Sequence, residues 1–146
     1  MIILKSLAII LLNYNGSVDT IECIESLDNT ITNYEYDIYI IDNASQKEEV
    51  DILKRYISSR EEFDIYSDAI YERNKVKGNL LILSNDNAGF AGGNNKVIRK
   101  IYEDYSYVLL LNNDTVVQPD FIEKMICMLN EDPTIGYASC RIDNYY

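Results

Sequence analysis

The chain has no histidine among its 146 residues, and its three cysteines, Cys23, Cys127 and Cys140, stand far apart with no C-x-x-C pair. A His-based triad and His–metal chemistry are therefore excluded within it, and a structural zinc site has no ligand set to use. An odd, scattered cysteine count fits reduced thiols in the cytosol. Basic residues are scarce as well: 13 Lys and Arg against 24 Asp and Glu give a net charge of −11. That balance opposes non-specific binding to nucleic-acid phosphate or anionic lipid. An anionic ligand would need local help from backbone N–H groups, a metal ion or a few placed cations. Long apolar runs are missing too. The run from Leu7 to Leu12 is shorter than a signal-peptide core, and no small-residue cleavage site follows it. It is also far below the ~20 residues that span a bilayer. It reads as a strand.

What is present is ordinary globular composition, 47% hydrophobic and 25% charged, in a length that suits one domain over residues 1–146. Four nearly continuous apolar runs recur: Leu7 to Leu12, Ile38 to Ile41, Leu80 to Leu83 and Val108 to Leu111. Runs of this kind mark strands covered on both faces, as in a parallel sheet. Between them lie helical stripes: Ile21, Ile24, Leu27 and Ile31; Val50, Leu53 and Ile57; Val97, Ile98, Ile101 and Tyr105; Phe121, Ile122, Met125 and Leu129. Ser17 is the expected N-cap of the first helix, and Pro119 is expected in the first turn of the fourth. The charged stretch from Ser58 to Lys77 reads as a long surface excursion with room for a short helix. Ile135 to Ile142 reads as a fifth strand.

Alternating strands and helices predict an α/β doubly wound, mainly parallel sheet. Right-handed crossovers, with the fourth run returning to the other side of the first, give the order 3-2-1-4 and open a crevice at the carboxyl ends of the first and fourth strands. The segments that leave the strands there are Asn13-Tyr14-Asn15-Gly16, Asp42-Asn43-Ala44-Ser45, the stretch from Asn85 through Asn95, and Asn112-Asn113-Asp114-Thr115. Each alone has a plain reading as a turn, a cap, a positive-φ loop or an Asx turn. Four such clusters on one edge go beyond turn chemistry. The G-x-G-x-x-G fingerprint and the G-x-x-x-x-G-K-[ST] loop are both absent, so a dehydrogenase-type dinucleotide site and a P-loop do not fit.

The ordered set of these segments, with Pro119-Asp120-Phe121 and Asp132-Pro133-Thr134-Ile135-Gly136 after them, resembles the family-2 glycosyltransferases of GT-A fold, most closely their rhamnosyltransferase-like branch. The resemblance runs from about Leu7 to Tyr146. It implies a Rossmann-like nucleotide-diphospho-sugar transferase fold and a donor that is a nucleotide-diphosphate sugar, with dTDP and UDP as the expected carriers. Asn13, Tyr14 and Asn15 would border the nucleotide, with Tyr14 beside the base. Asp42, facing the crevice, would accept from base or ribose. Asn87, Gly92, Gly93 and Asn94 would shape the sugar–phosphate pocket, and Asn113 would lie against the substrate.

In the same resemblance Asn112-Asn113-Asp114 stands where the family has Asp-x-Asp, so Asp114 and Asn112 would hold a divalent cation, magnesium or manganese, that bridges the diphosphate. Such a cation would stabilise the leaving group. Two departures stand out: Asn112 replaces the first carboxylate, and Val97 stands where a glycine is often found. The resemblance further implies a glycan or lipid-linked acceptor, transfer with inversion in cell-surface polysaccharide synthesis, and a cytoplasmic location, peripheral at the inner membrane face. The carboxylate that would deprotonate the acceptor is expected beyond Tyr146. On this reading the chain alone is incomplete for transfer, and either a longer protein continues past Tyr146 or another chain completes it. Uncovered apolar surface near Ile135 to Ile142, with Tyr145 and Tyr146, is expected either to drive self-association or to leave the chain only marginally stable. Two other classes remain open: a stand-alone module that binds nucleotide sugar without transfer, and a nucleotidyltransferase on a similar fold. The latter would want a basic glycine-rich loop after the first strand, which is missing.

Overall fold

A computed structural model describes residues 5–143. Five strands, β1 (Lys5–Asn13), β2 (Tyr36–Asp42), β3 (Phe63–Ser67), β4 (Asn79–Leu83) and β5 (Tyr105–Asn112), form one sheet in the order β3-β4-β2-β1-β5, and every neighbouring pair is parallel. Helices α1 (Ser17–Asp28), α2 (Lys47–Ser58), α3 (Asp68–Arg73), α4 (Gly89–Ile101) and α5 (Phe121–Glu131) make the connections. The four strands expected from the apolar runs stand in the expected order, with the reversal between β1 and β5.

The continuity of the runs has the expected cause. Leu7, Ile9 and Leu11 pack with Ile24, Leu27, Leu53, Ile57 and Ile122 on one side of the sheet, while Ala8 and Ile10 pack with Val97 and Ile101 on the other. Residues 7–11 of β1 are therefore all buried. Val97, at the position where glycine was noted as frequent, is fully buried in the second of these layers.

Five local expectations are corrected. The charged stretch is not only an excursion, because it contains β3 as well as the short α3. Edge strand β3 pairs along its length with β4 but is buried only at Phe63, so its apolar run is short and gives a weaker signal. Residues 135–142 form no strand, since a strand needs a partner for its backbone groups and none of the described residues pairs with this segment. Ser17 is the first residue of α1 rather than its cap; Gly16 is the cap, and the Ser17 hydroxyl is turned to Glu49 instead. Pro119 lies just before Asp120, the N-cap of α5, and its carbonyl accepts a bond from Ile31 N at 2.7 Å. Ile31 and Tyr105 fall outside the helices whose stripes they were expected to extend: Ile31 is exposed in the loop after α1, and Tyr105 opens β5. Tyr145 and Tyr146 lie outside the described residues.

The outer strand β5 is the least covered. Tyr107, Leu109 and Leu111 pack against the α1–α2–α5 layer, but Val108 and Leu110, on the other face, are 37% and 44% exposed. No helix among the described residues is long and apolar enough to cross a membrane.

Candidate functional site

Because the strands are parallel, their carboxyl ends share one edge. Register pairs Asn13 with Asp42, Asp42 with Leu83, and Leu12 with Asn112. The four polar clusters singled out in the sequence therefore lie side by side, and side-chain amides tie them together.

Asn13 ends β1 and is fully buried. Its Nδ2 donates to Asp42 Oδ1 at 2.8 Å and reaches Ser45 Oγ at 3.2 Å, while its Oδ1 accepts from Thr20 Oγ1 at 2.8 Å. Ser45 N donates to Asp42 Oδ2 at 3.1 Å. Both oxygens of Asp42 are thus engaged within the chain, and the residue is 1% exposed. It was expected to face the crevice; instead it is enclosed by the loops after β1 and β2. A carboxylate has about four acceptor positions, so each oxygen retains capacity for a further donor.

The same two loops are joined by backbone N–H groups that donate to side-chain oxygens, Asn15 N to Ser45 Oγ at 2.8 Å and Gln46 N to Asn15 Oδ1 at 2.7 Å. Their tight shape needs a left-handed residue in each, Asn15 at φ 53° and Ala44 at φ 62°. Asparagine tolerates this region; alanine does so at a cost. Tyr14, between them, is 54% exposed, with its ring free at the edge.

Asn43 secures the glycine-rich segment. It is 2% exposed, donates to Asn87 Oδ1 at 2.7 Å and accepts from Ala88 N at 3.2 Å. Gly89, at φ +70°, makes the turn into α4 that L residues rarely adopt. One turn later, a Cβ on Gly93 would strike Leu12 Cδ1, so glycine is what allows α4 to lie against the end of β1. Asn94 is buried and turns its amide onto Phe90 O at 2.9 Å. Gly93 and Asn94 therefore have packing partners inside the chain. Asn87 and Gly92 lie at the head of α4, where Asn87 Oδ1 accepts from Gly89 N at 2.9 Å.

At β5 the Asn113 amide donates to Thr20 Oγ1 at 3.0 Å, whereas Asn112 and Asp114 are exposed. Beneath this loop Cys23 is fully buried with its Sγ on Asn112 O; burial pushes the thiol up to about 12, which keeps it neutral and unreactive. Among the described residues no group of three or more Asp, Glu, Cys or His side chains gathers as a metal cage. Asp114 offers one exposed carboxylate and Asn112 one amide oxygen. That donor set suits magnesium or manganese shared with a phosphate ligand, which usually needs only one or two protein carboxylates.

Four residues of this network were not singled out as site residues: Thr20, Asn43, Ser45 and Glu49. Asn43 and Ser45 adjoin Asp42 in the sequence, so proximity was the available signal. Glu49 comes from α2 and accepts from both the backbone N–H and the hydroxyl of Ser17, which hold its carboxyl below the usual glutamate value. It satisfies the amino end of α1 from another helix, and no local pattern announces that. A shallow concavity lined by Arg73, Lys75, Arg99 and Tyr102 lies at the opposite, carboxyl end of α4 and takes no part in this network.

A family model described as Glycosyl transferase family 2 matches residues 8–145. The chain belongs to glycosyl transferase family 2. No curated protein matches it in sequence. Among solved structures it is similar to the mannosyltransferase PcManGT from Pyrobaculum calidifontis in complex with GDP-Man and Mn2+, at 16% identity and a TM-score of 0.63, over 89% of this chain and 33% of that one. It is likewise similar to S. aureus TarS in complex with UDP-GlcNAc, at 18% identity and a TM-score of 0.56, over 86% of this chain and 31% of that one. Such identities speak for the fold, which is the GT-A-like α/β architecture expected of the family. The chain spans about a third of the length of these proteins.

Proposed function

We propose that this chain is the nucleotide-sugar-binding part of a glycosyltransferase, and that residues 1–146 form that single unit. The observation that carries the reading is the convergence of all four carboxyl-end clusters on one edge, cross-tied by Asn13, Asn43 and Asn113, in a chain of this family. The relatives in complex with UDP-GlcNAc and with GDP-Man and Mn2+ support a nucleotide-diphosphate sugar, dTDP- or UDP-linked on the reading of the sequence, as donor.

In this reading the exposed Tyr14 ring lies against the base, and the enclosed Asp42 holds the loops after β1 and β2 in place beneath the nucleoside through Asn13 and Ser45. Asn15, Asn87 and the free N–H groups at the head of α4, with Gly92 there, border the sugar and phosphates. Gly93, Asn94 and Asn13 act from behind by holding α4 and the loops in place. Asp114 and Asn112 would hold magnesium or manganese, which supplies charge neutralisation for the leaving nucleoside diphosphate when bound. In a chain of net charge −11 that neutralisation matters for any diphosphate. The acceptor in this reading is a glycan or lipid-linked saccharide, and transfer to it proceeds with inversion. Polysaccharide synthesis at the cytoplasmic membrane face completes the proposal.

Calorimetric titration with dTDP, UDP and GDP, with and without Mn2+, tests it. At least one diphosphate should bind, and more tightly with Mn2+. Asp114→Asn should abolish the Mn2+-dependent part and leave binding of the free nucleoside unchanged. Equal diphosphate binding with and without Mn2+ in the parent chain would overturn the assignment of Asp114 and Asn112.

A further inference from the structure

Thr20 lies on α1, outside every motif, yet it is fully buried and its hydroxyl stands at the centre of the site's hydrogen bonds. It donates to Asn13 Oδ1 at 2.8 Å, with Gly16 O as its alternative acceptor at 3.0 Å, and it accepts from Asn113 Nδ2 at 3.0 Å. Asn13 in turn donates to Asp42 Oδ1 at 2.8 Å. The result is one continuous line of side chains, Asn113 to Thr20 to Asn13 to Asp42, running under the edge from the loop after β5 to the end of β2. Each donor in it points the same way, so each bond polarises the next. Asn13 and Asp42 are as buried as Thr20, which leaves water no place to substitute for a missing member.

From this geometry we infer that Thr20 is a positioning residue that fixes the loop carrying Asp114 relative to the end of β2 carrying Asp42. The inference rests on the proposed donor site, in which those two ends serve the diphosphate and the nucleoside respectively. A donor that touches both ends needs their spacing held. Among the described residues no backbone hydrogen bond links the two loops directly; beyond the ladders that join β1 to β2 and to β5, the side-chain connection across β1 runs through Asn13. Asn113 has one further contact, to Gly16 O at 3.4 Å, longer than its bond to Thr20. Farther along, the loop is also tied by Val117 N to Ser26 Oγ at 3.1 Å and by Pro119 O to Ile31 N at 2.7 Å, so Thr20 is the anchor beside Asp114 rather than of the loop as a whole.

The test uses Thr20→Val, which keeps the shape and removes the hydroxyl, Thr20→Ser, which restores the hydroxyl, and Asn113→Ala, which removes the loop's end of the link without altering the core. Titration with UDP and GDP, each with and without Mn2+, and with the free nucleosides, reads both ends separately. In Thr20→Val the Mn2+-dependent tightening of diphosphate binding should fall about fivefold, the scale of one hydrogen bond, while nucleoside binding stays near the parent's. Thr20→Ser should recover the parent's behaviour. Asn113→Ala should reproduce the loss, and the double variant should lose no more than either single one, because both remove the same link. If the parent binds with Mn2+ and both single variants bind as it does, the positioning role is wrong while the donor site stands. If the variants lose nucleoside and diphosphate binding in equal measure, Thr20 serves only the fold and the inference is overturned. If the parent itself binds no nucleotide, the donor site falls and the inference falls with it.

Discussion

Asp42 offers the sharpest test of the site as described. Its two oxygens accept from Asn13 Nδ2 at 2.8 Å and Ser45 N at 3.1 Å in a position 1% exposed. Asp42→Ala removes both acceptors. Asn13 keeps Ser45 Oγ at 3.2 Å, but Ser45 N is left without its acceptor. Bonds to a charged group contribute about 1.5–3 kcal/mol each, and part of that is returned by no longer burying a charge, so a net loss of about 2–4 kcal/mol is expected. A domain of this size has roughly 7–20 kcal/mol in hand at 0.05–0.15 kcal/mol per residue. The variant should therefore fold, with Tm lower by about 5–15 °C.

Asp42→Asn is the subtler change. An amide presents one acceptor and one donor, and both groups facing residue 42 are donors, so its NH2 meets another N–H unless the Asn13 amide turns over and Thr20 moves its hydroxyl to Gly16 O at 3.0 Å, rearranging the network. The variant should lose stability on a scale of about 1–3 kcal/mol, like other buried unsatisfied groups. A carboxylate open to the crevice would tolerate this near-isosteric change. Thermal and urea unfolding of parent, Ala and Asn forms decides the matter. An Ala variant that melts with the parent would refute the enclosed position of Asp42.

Ala44 sits at φ 62°, so Ala44→Gly should raise stability by about 1 kcal/mol, seen as a higher urea midpoint; a drop would mean that the loop does not hold this conformation. Glu49 has its carboxyl held below the ordinary value by Ser17, so its contribution is complete above the unfolded glutamate pKa of about 4.3 and drains away as pH falls through the lower folded value. Glu49→Gln should consequently be less stable than the parent at pH 7, with the gap closing near pH 3; a gap that persists there would show that the charge is not what holds Ser17. Finally, the half-exposed Val108 and Leu110 on outer strand β5, together with the exposed Tyr137 and Ile142, should make the isolated chain associate with rising concentration. Leu110→Lys should weaken that association in sedimentation velocity runs, and an equal distribution of species in the two forms would place the contact elsewhere.

The sequence by itself determined the architecture of the central sheet. A strand buried on both faces is apolar through its central stretch, and β1, β2 and β4 are so at residues 7–12, 38–41 and 80–83, so their runs could be read directly. It also determined which residues meet: once the strands are parallel, the segments after Leu12, Ile41, Leu83 and Leu111 share an edge by topology alone. Strand β3 escaped notice because an edge strand hides only part of its surface, and residues 135–142 looked like a strand because hydrophobicity says nothing about whether a partner is present. What only the tertiary structure decided is how each polar group at the edge is used. Asp42 and Tyr14 look equally available in the sequence, yet one is enclosed and the other exposed. Thr20 and Glu49 lie outside every motif, and their partners are set by how α1 packs on β1 and α2 on α1. Hydrogen bonds act over about 3 Å, so the ones that span distant parts of the chain exist only once packing has brought those parts together.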